Sequence, residues 1–353
     1  MPPVQTNFIK SFHICKLWIY QHYYQSLILK NASIYPDVIE RVRVSDMLEK
    51  YYLRRPDETD QQSVLDLLIR CDIRDVGQPD SDLEDLKYDW RQIDLNQDAW
   101  LAFNHDGVLK GYSAVLPWRD GKRLAIYDDP GTENDELFLG LLVLCEGRAA
   151  NQLREAGEPL MKNVVTHISD SVDYQKKILE DAGYRINRFI YNMHIDIDGN
   201  LPDPEWPEGV EVRNAKTGID DRHIHAVIQE AFRKPDHPDQ PFDEWREFMM
   251  RADLYHSDLW FLALKGDDIV GTCLCFPYED IGWVRQLAVT EPFRKRGLGT
   301  ALLQHSFKAF KQRGYHKVGL GVESSNENAY RLYERAGMYK AIHLDEYRKT
   351  LNV

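Results

Sequence analysis

The chain repeats itself at long range, and this repeat constrains its fold more than any other feature of the 353 residues. Trp100 opens the run WLAFNHDGVLKG, which ends on Gly111, and Trp260 opens WFLALKGDDIVG, which ends on Gly271; the tryptophan and the glycine are 11 residues apart in both. Each run reads as strand, polar turn, strand. Upstream, YLRRPDETD from Tyr52 and VRNAKTGID from Val212 share a strand ending in arginine, then polar residues, then the start of an amphipathic helix. Downstream, ILEDAGY (178–184) parallels LYERAGM (332–338). Offsets of about 154 to 160 residues rule out a short-period solenoid and indicate a duplicated domain. Between the copies lies GNLPDPEWPEG (199–209), whose prolines and glycines read as a linker. The expected division is therefore a first domain over 47–198, a linker over 199–209 and a second domain over 210–353.

Residues 1–46 stand apart. They carry three acidic and five basic side chains in a protein whose net charge is −13. The run from Phe8 to Leu29 is aromatic-rich but interrupted by Lys10, His13, Lys16, Gln21, His22 and Gln25, too polar to span a bilayer and without the small-residue cleavage site of a signal peptide. An upstream extension with Met47 as the working start is the simpler reading; an amphipathic helix docked on the body or lying on a membrane surface is the alternative.

The acidic balance argues against a nucleic-acid partner, which needs a basic face for phosphates. No run of about 18 apolar residues occurs, so no membrane span is expected and a cytoplasmic protein is. Five cysteines (Cys15, Cys71, Cys145, Cys273, Cys275) form no CxxC pair, and the histidines His223, His225 and His237 have no ligand frame around them. No metal is assigned. Cys273 and Cys275 alternate in a strand-like run and read as small core residues.

The chemistry concentrates in the second copy. GWVRQLAV (282–289) is a strand, TEPF a short connection, and RKRGLGT (294–300) a basic turn with two glycines. A helix follows, with Leu298, Leu302, Leu303, Phe307 and Phe310 on one side at about 100° per residue, closed by Gly314. Such a turn entering a helix gathers free backbone N–H groups under a favourable helix dipole, which suits a pyrophosphate. Arg294, Lys295 and Arg296 add charge-assisted bonds, each contributing about 1.5–3 kcal/mol when well formed.

The spacing Arg294-x-x-Gly297-x-Gly299 after a hydrophobic strand resembles the acyl-CoA pyrophosphate motif of GNAT acetyltransferases. NENAYRLYERAGM (326–338) resembles the next motif of that superfamily, matching at Asn326, Ala329, Leu332, Tyr333 and Gly337, with Met338 in the place of a usual Phe. The resemblance implies an α/β (α+β) protein of two tandem GNAT folds, each a mixed, mostly antiparallel sheet flanked by helices with a splayed central strand pair. It implies acetyl-CoA as acyl donor, with Leu287, Ala288 and Val289 along the pantetheine arm and the backbone of Arg294, Lys295, Arg296, Gly297, Leu298, Gly299 and Thr300 around the pyrophosphate. Asn326 would lie near the pantetheine or thiol end, and Tyr333 would be the acid that protonates the departing CoA thiolate. Glu279, ahead of Asp280, is the candidate base by position, although YEDIG also reads as a hairpin turn. A core tyrosine is the alternative for Tyr333.

The first copy keeps the scaffold without these signals. Where 294–300 would align it has DDPGTENDELF (128–138), with Asp128, Asp129, Glu133, Asp135 and Glu136 repelling a pyrophosphate, and Leu179 stands in the place of Tyr333. Tandem copies with an active second one are similar to the arrangement of mycothiol synthases. The expected function is transfer of an acetyl group to a primary amine, of a small molecule or else of a protein. The alternative is a non-catalytic acyl-CoA-binding or sensing module. Phe232, His237, Phe242 and Trp245, between and on the first helices of the second copy, are either acceptor-pocket or helix-packing aromatics.

Overall fold

A computed structural model of the protein describes residues 49–118, 121–131, 135–156, 163–233, 239–250 and 254–351. The upstream extension, Glu133 and His237 lie outside the described residues. The chain divides into two compact units, the first holding residues through Phe189 and from Leu344 onward, the second Ile190–His343.

The first copy runs β1 (Tyr52–Arg54), α1 (Gln61–Val76), α2 (Leu83–Arg91), α3 (Leu95–Asp98), β2 (Ala99–Phe103), β3 (Leu109–Trp118), β4 (Gly121–Asp128), α4 (Asp135–Glu155), β5 (Asn163–Ser169), α5 (Asp173–Asp181) and β6 (Arg185–Asp196). The second repeats the order as β7 (Glu211–Asn214), α6 (Asp221–Phe232), α7 (Phe242–Met249), β8 (Trp260–Lys265), β9 (Asp268–Pro277), β10 (Gly282–Val289), α8 (Leu298–Gln312), β11 (Lys317–Glu323), α9 (Glu327–Arg335) and β12 (Tyr339–Thr350). In each unit a meander of antiparallel strands ends in one parallel pair, β4 with β5 and β10 with β11. The sheets are mixed and mostly antiparallel, in the fold class expected.

The units do not follow the linear division. Ile190–Asp196 of β6 lies in the second unit and pairs antiparallel with β11, while Leu344–Thr350 of β12 lies in the first and pairs antiparallel with β5. The two copies have exchanged the ends of their last strands. Both strands are 12 residues long, about twice an ordinary strand, so each has length enough to contribute residues to both units.

Within the second unit the apolar stripe of α8 packs as its periodicity requires: Leu298, Leu302, Leu303, Phe307 and Phe310 are all buried, each contributing roughly 1.5–3 kcal/mol. On the other face of the strands, α6 and α7 bury Ile224, Ile228, Trp245 and Met249 against Trp260, Leu262, Leu274 and Ala288. The cysteines among the described residues are buried and unbridged.

The arginine that ends the first strand of each copy has a defined job. Arg54 donates from both terminal nitrogens to the Asp60 carboxylate at 2.6 and 2.5 Å, and Arg213 does the same to Asp220 at 2.6 and 2.9 Å. Each clasp closes the connection from strand to helix, and each aspartate is buried. The arginine hydrogen bonds hold both carboxyls below the ordinary range. A depressed folded value means that this stability is present above the unfolded pKa of about 3.9 and is lost as pH falls through the folded one. Asp220→Asn is therefore expected to cost about 1–3 kcal/mol near neutrality, with its deficit relative to wild type shrinking below about pH 4; thermal unfolding across that range tests it, and a deficit independent of pH would refute the clasp. A second expectation concerns the exchanged strand. Deleting residues 344–353 removes the antiparallel partner of β5 and the buried Tyr347 and Leu351, so the amides of β5 beyond its short pairing with β4, from Thr166 to Ser169, should lose their protection in hydrogen exchange.

Candidate active site

β10 stays paired to β9 through Val289 but to β11 only at Gly282 and Trp283. Beyond Trp283 the two parallel strands part, and among the described residues no strand pairs with the edge of Leu287–Val289 that faces away from β9. Leu287 and Val289 are half-buried and pack on the α8 side, while Ala288 is buried on the α6–α7 side. A parted strand pair leaves backbone donors and acceptors that a ligand of extended, amide-bearing shape can satisfy.

The basic turn lies at the open end of this parting. Lys295 and Gly297 both have positive φ, at 59° and 86°, which folds the backbone of 294–297 into a concave turn of the kind that collects anions. Gly297 is the N-cap of α8 and has no side chain to cap it. The first helical bond runs from the Ala301 N–H to the Gly297 carbonyl at 3.0 Å, so the amides of Leu298, Gly299 and Thr300 precede the hydrogen-bonded ladder. Gly299 is required by close approach: a Cβ there would stand 3.0 Å from Leu332 Cδ1 of α9. Arg294, Lys295 and Arg296 are exposed. The Arg294 Nε donates to the Val289 carbonyl at 3.0 Å, tying the turn to the end of β10, and the Arg296 guanidinium lies over the Phe293 ring.

Tyr333 is buried on α9, within the same apolar cluster as Leu298, Leu302 and Met338. Burial, and secondarily the nearby Cys273, push its phenol up to about 12, so it is a proton donor throughout the physiological range. Asn326 is the N-cap of α9, and its Oδ1 accepts from the Ala329 N–H at 3.2 Å. That local task accounts for an asparagine here, and it leaves the side-chain NH2 for other use.

Glu279 is placed elsewhere. It is exposed in the turn between β9 and β10, at the end of β10 where the strands remain paired, with most of β10 between it and Leu287. The turn reading of YEDIG describes it. Of the aromatics, Trp245 is fully buried and packs near Trp260. Phe242 sits under the Arg222 guanidinium and against His225, and Phe232 is exposed.

The first unit has the same parting, filled from within. β4 pairs with β5 only over Gly121–Arg123, and Asp128 pairs with Gly111 as Val289 pairs with Gly271. The buried Asp128 carboxylate accepts from Tyr174 Oη at 2.5 Å and from Gln175 Nε2 at 2.7 Å, both on α5. Its carbonyl accepts from Arg74 at 3.0 Å and from the Cys71 thiol at 3.3 Å. Asp129, the next residue, is bonded by Arg70 and Lys110. The acidic residues that sequence reading set against a pyrophosphate are thus engaged in a network of the unit's own side chains, a role that nothing in their spacing announced.

Comparison with known proteins follows this geometry. Residues 223–338 match the model of the Acetyltransferase (GNAT) family. The mycothiol acetyltransferase of Actinosynnema mirum is 30% identical over 249 residues, 68% of this chain and 80% of that protein; several other mycothiol acetyltransferases align over only about half their length. The crystal structure of a GCN5-related N-acetyltransferase from Sphaerobacter thermophilus superposes with a TM-score of 0.75 at 32% identity, covering 85% of this chain and 96% of that one. A tandem GNAT protein from the clavulanic acid biosynthesis pathway shares the fold, with a TM-score of 0.65 at 12% identity over 86% of this chain and 99% of its own. No described helix is long and apolar enough to cross a membrane.

The turn at 294–300 makes its own prediction. Reversing Arg294 and Arg296 to glutamate replaces basic by acidic charge on this exposed turn and should weaken acetyl-CoA binding at least tenfold in calorimetric titration; unchanged affinity would remove the turn from any cofactor role.

Proposed function

We propose, on the premise that this chain belongs to the GNAT family of N-acetyltransferases, that its second unit moves an acetyl group from acetyl-CoA directly to a primary amine. The observation that carries the reading is the convergence at β10. The unpaired edge of Leu287–Val289, the free amides of Leu298–Thr300 and the buried Tyr333 all come from elements that meet around the parted strands. The pantetheine arm would bond along the strand edge, and the pyrophosphate would sit on the turn from Arg294 through Thr300, with Asn326 near the thiol end.

The amine attacks the thioester carbonyl as its free base, the carbon–sulfur bond breaks with its electron pair going to the CoA sulfur, and the nitrogen of the new amide releases its surplus proton to water, from which the phenol that protonates the sulfur is restored. Tyr333 donates its phenolic proton toward the sulfur as negative charge gathers there. A phenol near 12 is a weak acid for a thiol of pKa about 8–9 in water. The apolar surroundings that raise the phenol also raise a thiol placed beside it, because both anions lose solvation in the same way. The amine must shed a proton before it attacks, since a lysine-like ammonium of pKa about 10.4 is almost wholly charged at neutrality. The candidate base Glu279 lies in an exposed turn before β10, so in this reading the amine gives its proton to water, with Glu279 as the acceptor beyond it. Relatives that bear the name mycothiol acetyltransferase favour a small-molecule amine over a protein one.

Tyr333→Phe keeps the ring and its packing and removes the donor. It is expected to leave acetyl-CoA affinity within about twofold and to lower turnover by roughly 10²-fold or more, measured as CoA release with an amine panel. Full turnover in the variant would return Tyr333 to the core.

A further inference from the structure

β10 contains an extra residue. Its register against β9 runs from Gly282 to Val284, skips Arg285, and resumes from Gln286 to Val289. The consequence is a change of face. Side chains alternate along a strand, so without the skip Leu287 and Val289 would point to the side opposite Val284. With it, Val284, Leu287 and Val289 all belong to the cluster that packs beneath α8 and contains Tyr333, while Gln286 and Ala288 turn to the α6–α7 side. The bulge also falls just beyond Trp283, the last position at which β10 is paired with β11.

Two consecutive bulge residues are held by one helix. The indole N–H of Trp245 on α7 donates to Gln286 Oε1 at 3.0 Å, and the Arg285 guanidinium lies 4.7 Å from the centre of the Phe248 ring on the same helix. Trp245 has no exposed surface, and His225, Phe242 and Trp260 surround it, so its donor is fixed in place.

The first unit is the internal control. Its β4 pairs with β3 in unbroken register from Gly121 to Asp128, with no bulge. Ala125, opposite Ala114, stands where Gln286 stands opposite Leu274. Trp90 on α2 is a buried indole like Trp245, but its N–H donates to Tyr112 Oη on β3 at 2.9 Å instead. Bulge, glutamine and indole bond occur together in the second copy and are all missing from the first.

We propose that the Trp245–Gln286 hydrogen bond is a positioning clamp that fixes the β10 bulge, and so sets the face and path of Leu287–Val289 on which the thioester end of the acyl donor is laid. Trp245 and Gln286 are positioning residues and touch no reacting atom. The clamp also ties α7 to the donor strand, so whatever displaces α7 displaces the strand edge with it. This inference rests on the reading of the second unit as the acetyl-CoA site.

The test uses the full chain and two ligands, acetyl-CoA and 3′-phosphoadenosine 5′-diphosphate, which keeps the pyrophosphate but lacks the pantetheine arm. Trp245→Phe and Gln286→Met should each weaken acetyl-CoA about three- to tenfold, the loss expected of one hydrogen bond, and the double variant should be no weaker than either single one. Affinity for the diphosphate should stay at the wild-type value in all three. Trp90→Phe should leave both affinities unchanged. In the ligand-free protein, amides of 286–289 should exchange faster in the two clamp variants. Equal weakening of both ligands would mean general damage and overturn the clamp, as would unchanged acetyl-CoA affinity in Gln286→Met, whose long apolar side chain keeps the packing should Trp245→Phe fail to fold. Wild-type protein that binds neither ligand would instead overturn the underlying acetyltransferase reading.

Discussion

Once β10 leaves β11 beyond Trp283, the sheet can no longer satisfy the backbone of the strand edge that follows, and the rest of the second unit is arranged around that deficit. An exposed polar edge must be answered by solvent, by side chains or by a ligand, because burial without partners costs about 1–3 kcal/mol per group. The sequence places the means for a ligand nearby: a turn that two positive-φ residues, Lys295 and Gly297, bend into a concavity, and a helix whose first amides are uncapped. The Arg294 bond to the Val289 carbonyl joins the turn to the strand, so the two halves of the proposed cofactor site are one piece of backbone rather than two neighbours.

The first unit answers the same deficit differently, and the difference locates the divergence of the copies. Asp128 brings a carboxylate into the parting, and Tyr174 and Gln175 satisfy it from α5. The group is buried, and burial pushes its carboxyl up despite the tyrosine, arginine and glutamine that oppose the shift. A network that costs desolvation and is fully hydrogen-bonded gives rigidity and a filled cleft. The basic turn and the bulge of the second copy have no equivalent at the aligned positions of the first, which carries this network in the same place.

Much of this was legible before the coordinates. The two copies, the stripe of α8 and the glycine-bearing basic turn follow from periodicity, glycine placement and the spacing of repeated residues, and the mixed, mostly antiparallel sheet from the family resemblance that those motifs carry. The arginine–aspartate clasps were half visible, as a recurring arginine without its partner. What the sequence did not disclose depends on register and on pairing between distant segments. The bulge at Arg285 is one residue in a run that reads as continuous strand, and only its opposition to Cys275 and Leu274 exposes it. The Trp245–Gln286 bond joins residues 41 apart in the chain. Glu279 was singled out by position in the chain, and the strand's extended rise carries that position away from the parting.

The exchange of strand ends bears on why the two copies stay joined in one chain. Each unit completes its sheet with residues encoded in the other half of the chain: Ile190–Asp196 beside β11, Leu344–Thr350 beside β5. In the second unit Met193 and Ile195 of the exchanged strand join the cluster that contains Tyr333 and Leu298. The apolar seat of the proposed acid is thus built partly from the tail of the first copy. Excising either copy at the linker would leave an unpaired edge strand, an expensive and aggregation-prone ending. The second unit cannot finish its own core without the tail of the first copy, so the end of β6 is constrained by the packing around Tyr333 whatever side chains fill the space beside β4.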